Sequence, residues 1–191
     1  LSRKRREEAD IALRLLCKMY DTKTIDTWWR RYEASYELKQ SIPENPVEDA
    51  ILFYNFIRTN ELECPVQQGI LKYEALKNKS IVQSNVTSDA VVHPSIIVQR
   101  FEHHISNLVK ALNRGEPLEA ITQTAKKKMD IVVFYFNWKN QKTSVISINA
   151  ATKKVIESLL KINSIAEAKK MVGSVIETLK AAGLVRGEEP C

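Results

Sequence analysis

Glycine is scarce in this sequence, and the scarcity excludes several familiar classes of enzyme. Only five glycines occur among 191 residues, and no two of them lie closer than four positions apart. Loops of the GxGxxG and GxxxxGK types need clustered glycines, because the chain must turn tightly and bring its backbone close to a phosphate. Neither motif occurs here. We therefore expect neither a common nucleotide-dependent enzyme nor a bound cofactor.

Long apolar runs and paired cysteines are also missing. The most apolar stretch, Ile131–Phe136, is far shorter than the roughly 18–20 residues that a membrane span requires, so no membrane association is expected. The cysteines, Cys17, Cys64 and Cys191, are odd in number and widely separated. This spacing argues against a disulfide framework and favours a reducing compartment. An intracellular protein, nuclear or cytoplasmic, is therefore expected.

The N-terminal residues carry no secretion signal. The chain starts with a charged segment, and no apolar core with a small-residue cleavage site follows it. Because the first residue is Leu1 rather than Met, we expect a fragment of a longer protein. The basic run Arg3–Arg6 matches a nuclear-import patch, a pattern with many false positives.

Catalytic and metal-binding motifs are missing as well. The sequence has neither a GxSxG elbow nor an HExxH helix, and His103 and His104 are adjacent, so they point about 100° apart on a helix. The histidines are expected to be solvent-facing or packed side chains, and His93, before Pro94 at a predicted helix start, is as well explained as a capping or surface residue. We expect the acidic pair Glu48–Asp49 to lie in the first turn of a helix and the pair Glu188–Glu189 to lie in a solvated C-terminal tail. No metal site and no enzyme are expected, although a catalytic group of residues distant in sequence stays open.

Positive charge is present, and it is concentrated in the second half of the chain. The formal net charge is +6; residues 1–50 are neutral, whereas residues 106–187 hold fourteen basic and six acidic side chains, a net +8. A local basic excess is typical of a protein with a polyanionic partner. A solvated surface that favours solubility is the alternative interpretation.

The lysines of this basic region predict a nucleic-acid interface that does not read sequence. If the last two helices are antiparallel, their lysine pairs project to one side together with the lysines of a hairpin turn, and such point charges bind phosphates. A solvated helix face is the alternative for any one cluster. The predicted nucleic-acid-binding residues are Lys126, Lys127, Lys128, Lys139, Lys142, Lys153, Lys154, Lys169 and Lys170.

Aromatic residues interleave with arginines in the first half. Trp28 and Trp29 precede Arg30 and Arg31, an arrangement that also occurs in base-stacking surfaces. Tyr32 follows at helical spacing, so the stripe as a whole is most simply core. Since two adjacent tryptophans cannot both face one core, we expect one of them at a rim. Trp28 and Trp29 are therefore candidate partner-binding residues.

The periodicity predicts a mainly α fold, a multi-helix globular bundle with one β-hairpin near residues 131–148. Strands are predicted at Ile131–Trp138 and Thr143–Ile148 with a turn at 139–142, and a buried helix is the alternative for the first of them. The predicted helices cover residues 3–20, 25–39, 47–59, 65–77, 94–113, 117–128, 149–161 and 164–182.

Capping residues set the boundaries of several helices. Asn45 and Asn149 are predicted N-caps, Ser164 begins a predicted capping box, and Gly115 and Gly183 are predicted helix stops. The polar stretch 77–93 is predicted to be a long loop or an irregular extended segment. It divides the chain into an N-terminal helical subdomain, 1–80, and a basic C-terminal subdomain, 94–187, unless the two form one continuous domain.

These observations predict a non-catalytic macromolecule-binding domain within a larger assembly, whose basic C-terminal half contacts DNA or RNA. The alternative is a helical protein–protein interaction scaffold without nucleic-acid binding, which would bind a protein partner or form a homo-oligomer.

Overall fold

A computed structural model describes residues 2–37, 43, 45–86, 88, 90–162 and 164–187. The fold is mainly α with a small three-stranded sheet, which confirms the predicted class. In chain order the described elements are α1 Ser2–Ala12, α2 Arg14–Met19, α3 Thr22–Glu37, α4 Pro46–Asn60, α5 Pro65–Gln83, β1 Ile97–His103, α6 Ile105–Asn113, α7 Leu118–Thr124, β2 Lys127–Asn137, β3 Lys142–Ile148, α8 Ala150–Leu159, α9 Ile165–Val172 and α10 Val175–Ala181.

The predicted hairpin is confirmed and is longer than expected. The strand order is β1-β2-β3, and β2 pairs with β3 in antiparallel register, with Ile131 opposite Ile148 and Asn137 opposite Lys142. The side chains of residues 130–135 are all buried. Apart from Asp130 this run is apolar, which is typical of a central strand that is covered on both faces.

The chain divides into two compact units. Unit 1 comprises residues 1–79 and 101–129, and unit 2 comprises residues 80–100 and 130–191. In unit 1 the fully buried side chains include Leu16, Phe53 and Ile70. In unit 2 the core combines β2 with α8, α9 and α10 through residues such as Val133, Ile156, Leu159, Ala168 and Ile176.

The helix predicted over residues 94–113 is wrong in its first half. Residues Ile97–His103 form β1, and only Ile105–Asn113 form the helix α6. The β-branched residues at the start of the segment are good strand formers, and β2 supplies a partner strand. Pairing with that strand overrides the helical spacing of the apolar residues. The predicted stop is confirmed, because Gly115 follows α6 with a φ of 84°.

The helix predicted to end at the lysine run is also shorter than expected. Helix α7 ends at Thr124, while Lys127 and Lys128 are the first residues of β2. Their position is therefore not explained by the helix dipole, contrary to the prediction.

The N-terminal helix, predicted to be continuous, is broken at Leu13, whose φ of −113° and ψ of 57° are not helical. The cause lies on α5. The Glu74 carboxylate accepts hydrogen bonds from the backbone N–H groups of Leu15 and Leu16 at 2.7 and 3.3 Å. The Asn78 amide donates to the carbonyl of Ala12 at 2.5 Å. Two side chains from residues distant in sequence thus satisfy backbone groups that would otherwise bond within one helix.

Two predicted caps are confirmed and one is wrong. The side-chain oxygen of Asn45 accepts from Val47 N–H at 2.9 Å, and that of Asn149 accepts from Thr152 N–H at 2.8 Å. Ser164 makes no side-chain capping bond. The last predicted helix is also divided, because Gly173 adopts a φ of 55° between α9 and α10.

The predicted loop at 77–93 is partly helical, since α5 continues to Gln83. The rest of the described loop is irregular until Val92, which forms an isolated antiparallel bridge with Val185. The bridge joins this segment to the end of unit 2, after α10.

Gly183 ends α10 as predicted, and its replacement by alanine should destabilise unit 2 by about 2 kcal/mol. Its φ is 73°, and a Cβ atom there would collide with the side-chain amide of Asn137. Chemical denaturation would measure the loss. Gly115→Ala is the matched control, because Gly115 has a φ of 84° but a Cβ atom added there would meet nothing within 4 Å. Equal losses for the two variants would contradict the steric explanation.

Candidate nucleic-acid interface

The two candidate partner-binding tryptophans are both buried, so the expectation that one of them lies at a rim is wrong. Trp28 is 9% exposed and Trp29 is 3% exposed. The Trp29 ring packs against Phe53 with 4.8 Å between centroids, while Trp28 meets Tyr20 edge-on at 4.7 Å. Adjacent helix residues can both be buried here because neighbours cover α3 on more than one side.

The predicted lysines are distributed over both units. Lys126, Lys127 and Lys128 belong to unit 1, and the other six belong to unit 2. All nine are exposed except Lys153, which is half-buried. The local arrangement is most informative in unit 2, where a turn and two helices carry the predicted lysines.

The hairpin turn Trp138–Gln141 presents Lys139 and leads into Lys142. Asn137 organises it, since its side-chain oxygen accepts from Lys139 N–H at 3.0 Å and its carbonyl accepts from Gln141 N–H at 2.8 Å. The side chain of Asn140 accepts from Lys142 N–H at 3.1 Å. Both lysines therefore project from a turn whose backbone is held by several bonds.

The two adjacent lysines of α8 differ in their surroundings. The Lys153 ammonium pairs with Glu157, one turn on, at 3.0 Å. Lys154 has no ion pair among the described residues. It lies on the same helix face as Ser158, one turn on, and Lys161 follows in the turn just after α8 ends.

This face of α8 borders a depression that we call the α8–α9 cleft. The cleft has a volume of about 700 Å³ and is lined by Ser158, Lys161, Ile162, Glu167, Lys170 and Met171. Within the described part of the chain, neither Lys161 nor Lys170 forms an ion pair. The cleft thus brings a predicted lysine, Lys170, together with Lys161, which sequence reasoning missed although it follows Lys154 at helical spacing.

Glu167 is the one acidic residue of the lining, and it is exposed. It sits in the first turn of α9, whereas Lys169 and Lys170 sit in the last. Both placements are favoured by the helix dipole, so part of this charge pattern stabilises the helix itself. The lining nevertheless carries two cations against one anion.

A second feature of unit 2 was not predicted. The Arg186 guanidinium lies over the Trp138 ring, 5.7 Å from its centroid. Both residues are half-buried. Trp138 was predicted as the end of a strand and Arg186 was not singled out, since their contact joins positions far apart in the sequence.

The histidines and acidic pairs have structural roles that differ from some predictions. His93 is a packed, buried side chain, and it lies neither at the surface nor at the start of a helix. Its Nε2–H donates to the carbonyl of Val86 at 2.8 Å, and Nδ1 accepts from Ser95 N–H at 3.1 Å. Asp49 is likewise buried, whereas Glu188–Glu189 lie outside the described residues. No group of three or more potential metal ligands occurs in the described part of the chain.

Two of the cysteines are free thiols, Cys17 and Cys64. Cys191 lies outside the described residues. The Cys17 thiol donates to a carboxylate oxygen of Asp10 at 3.2 Å.

No protein-family model, curated protein or solved structure matches this chain significantly. Among the described residues, no helix is both long enough and apolar enough to cross a membrane.

Proposed function

We propose that this protein binds nucleic acid without reading its sequence, through the basic surface of unit 2. The observation that carries the proposal is the α8–α9 cleft, in which Lys161 and Lys170 line one depression without acidic partners among the described residues. Lys154 extends the same face of α8, and Lys139 and Lys142 add charge at the hairpin turn.

The chemistry of lysine supports the lack of sequence preference. An ammonium group is a point charge with freely rotating donors, suited to phosphate oxygens rather than to the fixed donor and acceptor pattern of a base edge. Neutralising phosphates releases condensed counterions, and binding of this kind weakens as salt rises. We expect similar affinities for unrelated sequences at low salt.

Two double variants that each remove two positive charges test the proposal. Lys161→Gln with Lys170→Gln removes two cleft cations, and we expect about tenfold weaker binding to mixed-sequence DNA or RNA at low salt. Lys153→Gln with Lys180→Gln is the matched control, because those lysines pair with Glu157 and Glu177 at 3.0 and 3.4 Å. The proposal therefore leaves Lys153 out of the interface, although the sequence predicted it there. Fluorescence anisotropy measures the affinities. Equal weakening by both variants, or no binding by the wild type, would overturn the proposal.

A protein–protein scaffold is the second candidate. It is favoured by the exposed apolar side chains Leu160, Met171 and Val175 of unit 2, which suit contact with another protein. This function predicts self-association or partner binding that Leu160→Ser with Val175→Ser abolishes, whereas Lys161→Gln with Lys170→Gln leaves it unchanged. Sedimentation velocity over a range of concentrations measures the self-association.

A further inference from the structure

Beside the hairpin turn, four side chains of unit 2 form a continuous stack. The His93 ring lies 4.8 Å from Phe136 and 5.5 Å from Trp138, centroid to centroid. Phe136 and Trp138 meet edge-on at 5.1 Å. The Arg186 guanidinium covers the Trp138 ring at 5.7 Å. His93 is buried, whereas the other three are half-buried, so the stack runs from the interior toward the surface.

Backbone hydrogen bonds fix both members of the outer pair. Trp138 N–H donates to the carbonyl of Gly183 at 2.9 Å, and Arg186 N–H donates to the carbonyl of Val91 at 2.9 Å. The bridge between Val92 and Val185 holds the segment that carries Arg186. The stack is therefore built in advance, and a ligand would lose little ordering entropy in using it.

Cations flank this stack along the chain. Lys139 follows Trp138 directly, and Lys142 is paired in register with Asn137. Both lysines are exposed. An aromatic or guanidinium plane beside phosphate-binding cations is the combination that proteins use for unpaired nucleotides. A base within a duplex is already stacked on its neighbours and cannot use such a plane.

We propose that the preferred ligand is single-stranded nucleic acid, with an unpaired base stacking on the Trp138–Arg186 pair while Lys139 and Lys142 contact the flanking phosphates. This inference rests on the proposed nucleic-acid binding and adds the class of strand. The α8–α9 cleft contacts only the phosphate backbone, and it does not itself distinguish strands.

The test compares a labelled 20-nucleotide single strand with the matching duplex, bound to the whole chain at low salt. Arg186→Lys keeps the charge but removes the plane. We expect it to weaken single-strand binding at least about fivefold and to leave duplex binding within about twofold. Arg100→Lys is the matched control, since Arg100 is an exposed arginine of the same unit, and it should change neither affinity.

Tryptophan emission gives a second readout, which would not change on binding if Trp138 had only a structural role. Single-strand binding should quench the emission of the wild type, and Trp138→Phe should remove most of that quenching, because Trp28 and Trp29 are buried in unit 1. Three results would each overturn the single-strand inference alone. They are equal affinity of the wild type for both probes, equal weakening of both affinities by Arg186→Lys, and unchanged quenching in Trp138→Phe. A wild type that binds neither probe overturns the proposed function as well.

Discussion

Replacing Asp49 with alanine should lower the free energy of unfolding of unit 1 by about 3–5 kcal/mol. Asp49 is 2% exposed, and both of its carboxylate oxygens accept hydrogen bonds from Arg5, at 2.8 and 3.0 Å. The Tyr32 hydroxyl donates a third bond at 2.6 Å. Alanine would remove the two shortest carboxylate contacts of a nearly buried guanidinium, which would keep only Glu33 at 3.5 Å, and it would remove the carboxylate to which the Tyr32 hydroxyl donates. This loss costs more than the intact network contributes.

The guanidinium of Arg5 has two further neighbours besides Asp49. Its guanidinium lies 5.6 Å from the centroid of the Trp29 ring and 3.5 Å from a carboxylate oxygen of Glu33. The hydrogen bond to Asp49 is the largest cause that raises the pKa of Arg5 above its ordinary value. Because a guanidinium is protonated at any ordinary pH, Arg5 stays charged when Asp49 is removed.

Urea denaturation measures the effect of Asp49→Ala, and two variants separate its causes. Tyr32→Phe removes one hydrogen bond and should cost about 1 kcal/mol. Asp49→Asn keeps an acceptor but removes the negative charge, so its cost should lie between the other two. A loss for Asp49→Ala no larger than that for Tyr32→Phe would contradict the buried ion pair as the main cause.

Unit 1 should become less stable as the pH rises from about 4.5 to about 7, because of Glu74. Burial raises the pKa of Glu74 from 4.5 to about 7, although the N–H groups of Leu15 and Leu16 and the charge of Lys77 oppose the shift. The protonated carboxyl is thus favoured in the folded state. Its stabilisation is complete below pH 4.5 and is lost as the pH rises through 7, for a total of up to about 3 kcal/mol.

Glu74→Gln isolates this effect from the titration of the histidines. Glutamine stays neutral, and its amide oxygen can still accept from Leu15 N–H. The difference in unfolding free energy between wild type and Glu74→Gln should shift in favour of the variant across pH 4.5–7, in a series of denaturation curves. Parallel curves for the two proteins over that range would contradict the assignment.

The sequence was sufficient for features that depend on near neighbours. Asn45 and Asn149 could be identified as caps because a capping side chain bonds to N–H groups two or three residues away. The hairpin was likewise predictable, since a short polar turn separates two β-branched runs. The stop at Gly183 needed only the positive φ that glycine adopts readily.

Features that depend on distant partners could not be predicted in this way. Residues 97–103 have helical spacing, and only pairing with β2 makes them a strand. The break at Leu13 depends on Glu74 and Asn78, about sixty residues along the chain. In both cases a tertiary partner satisfies backbone groups that local propensity assigns to a helix.

Some residues of the candidate site could likewise be predicted from the sequence, whereas others required the fold. Composition and charge identified Lys154 and Lys170, but the approach of Lys161 to Lys170 required the packing of α8 and α9. The contact of Trp138 with Arg186 required the segment after α10 to return to the hairpin. Sequence reasoning also placed Trp28 or Trp29 at a surface, because it could not show that α3 is covered on more than one side.

The dependence of affinity on salt tests the central claim most directly. For the wild type, the logarithm of the binding constant should fall linearly with the logarithm of the salt concentration. Lys161→Gln with Lys170→Gln should reduce that slope by about 2, while Lys153→Gln with Lys180→Gln should leave it near the wild-type value. Identical slopes for all three proteins would contradict phosphate binding in the α8–α9 cleft.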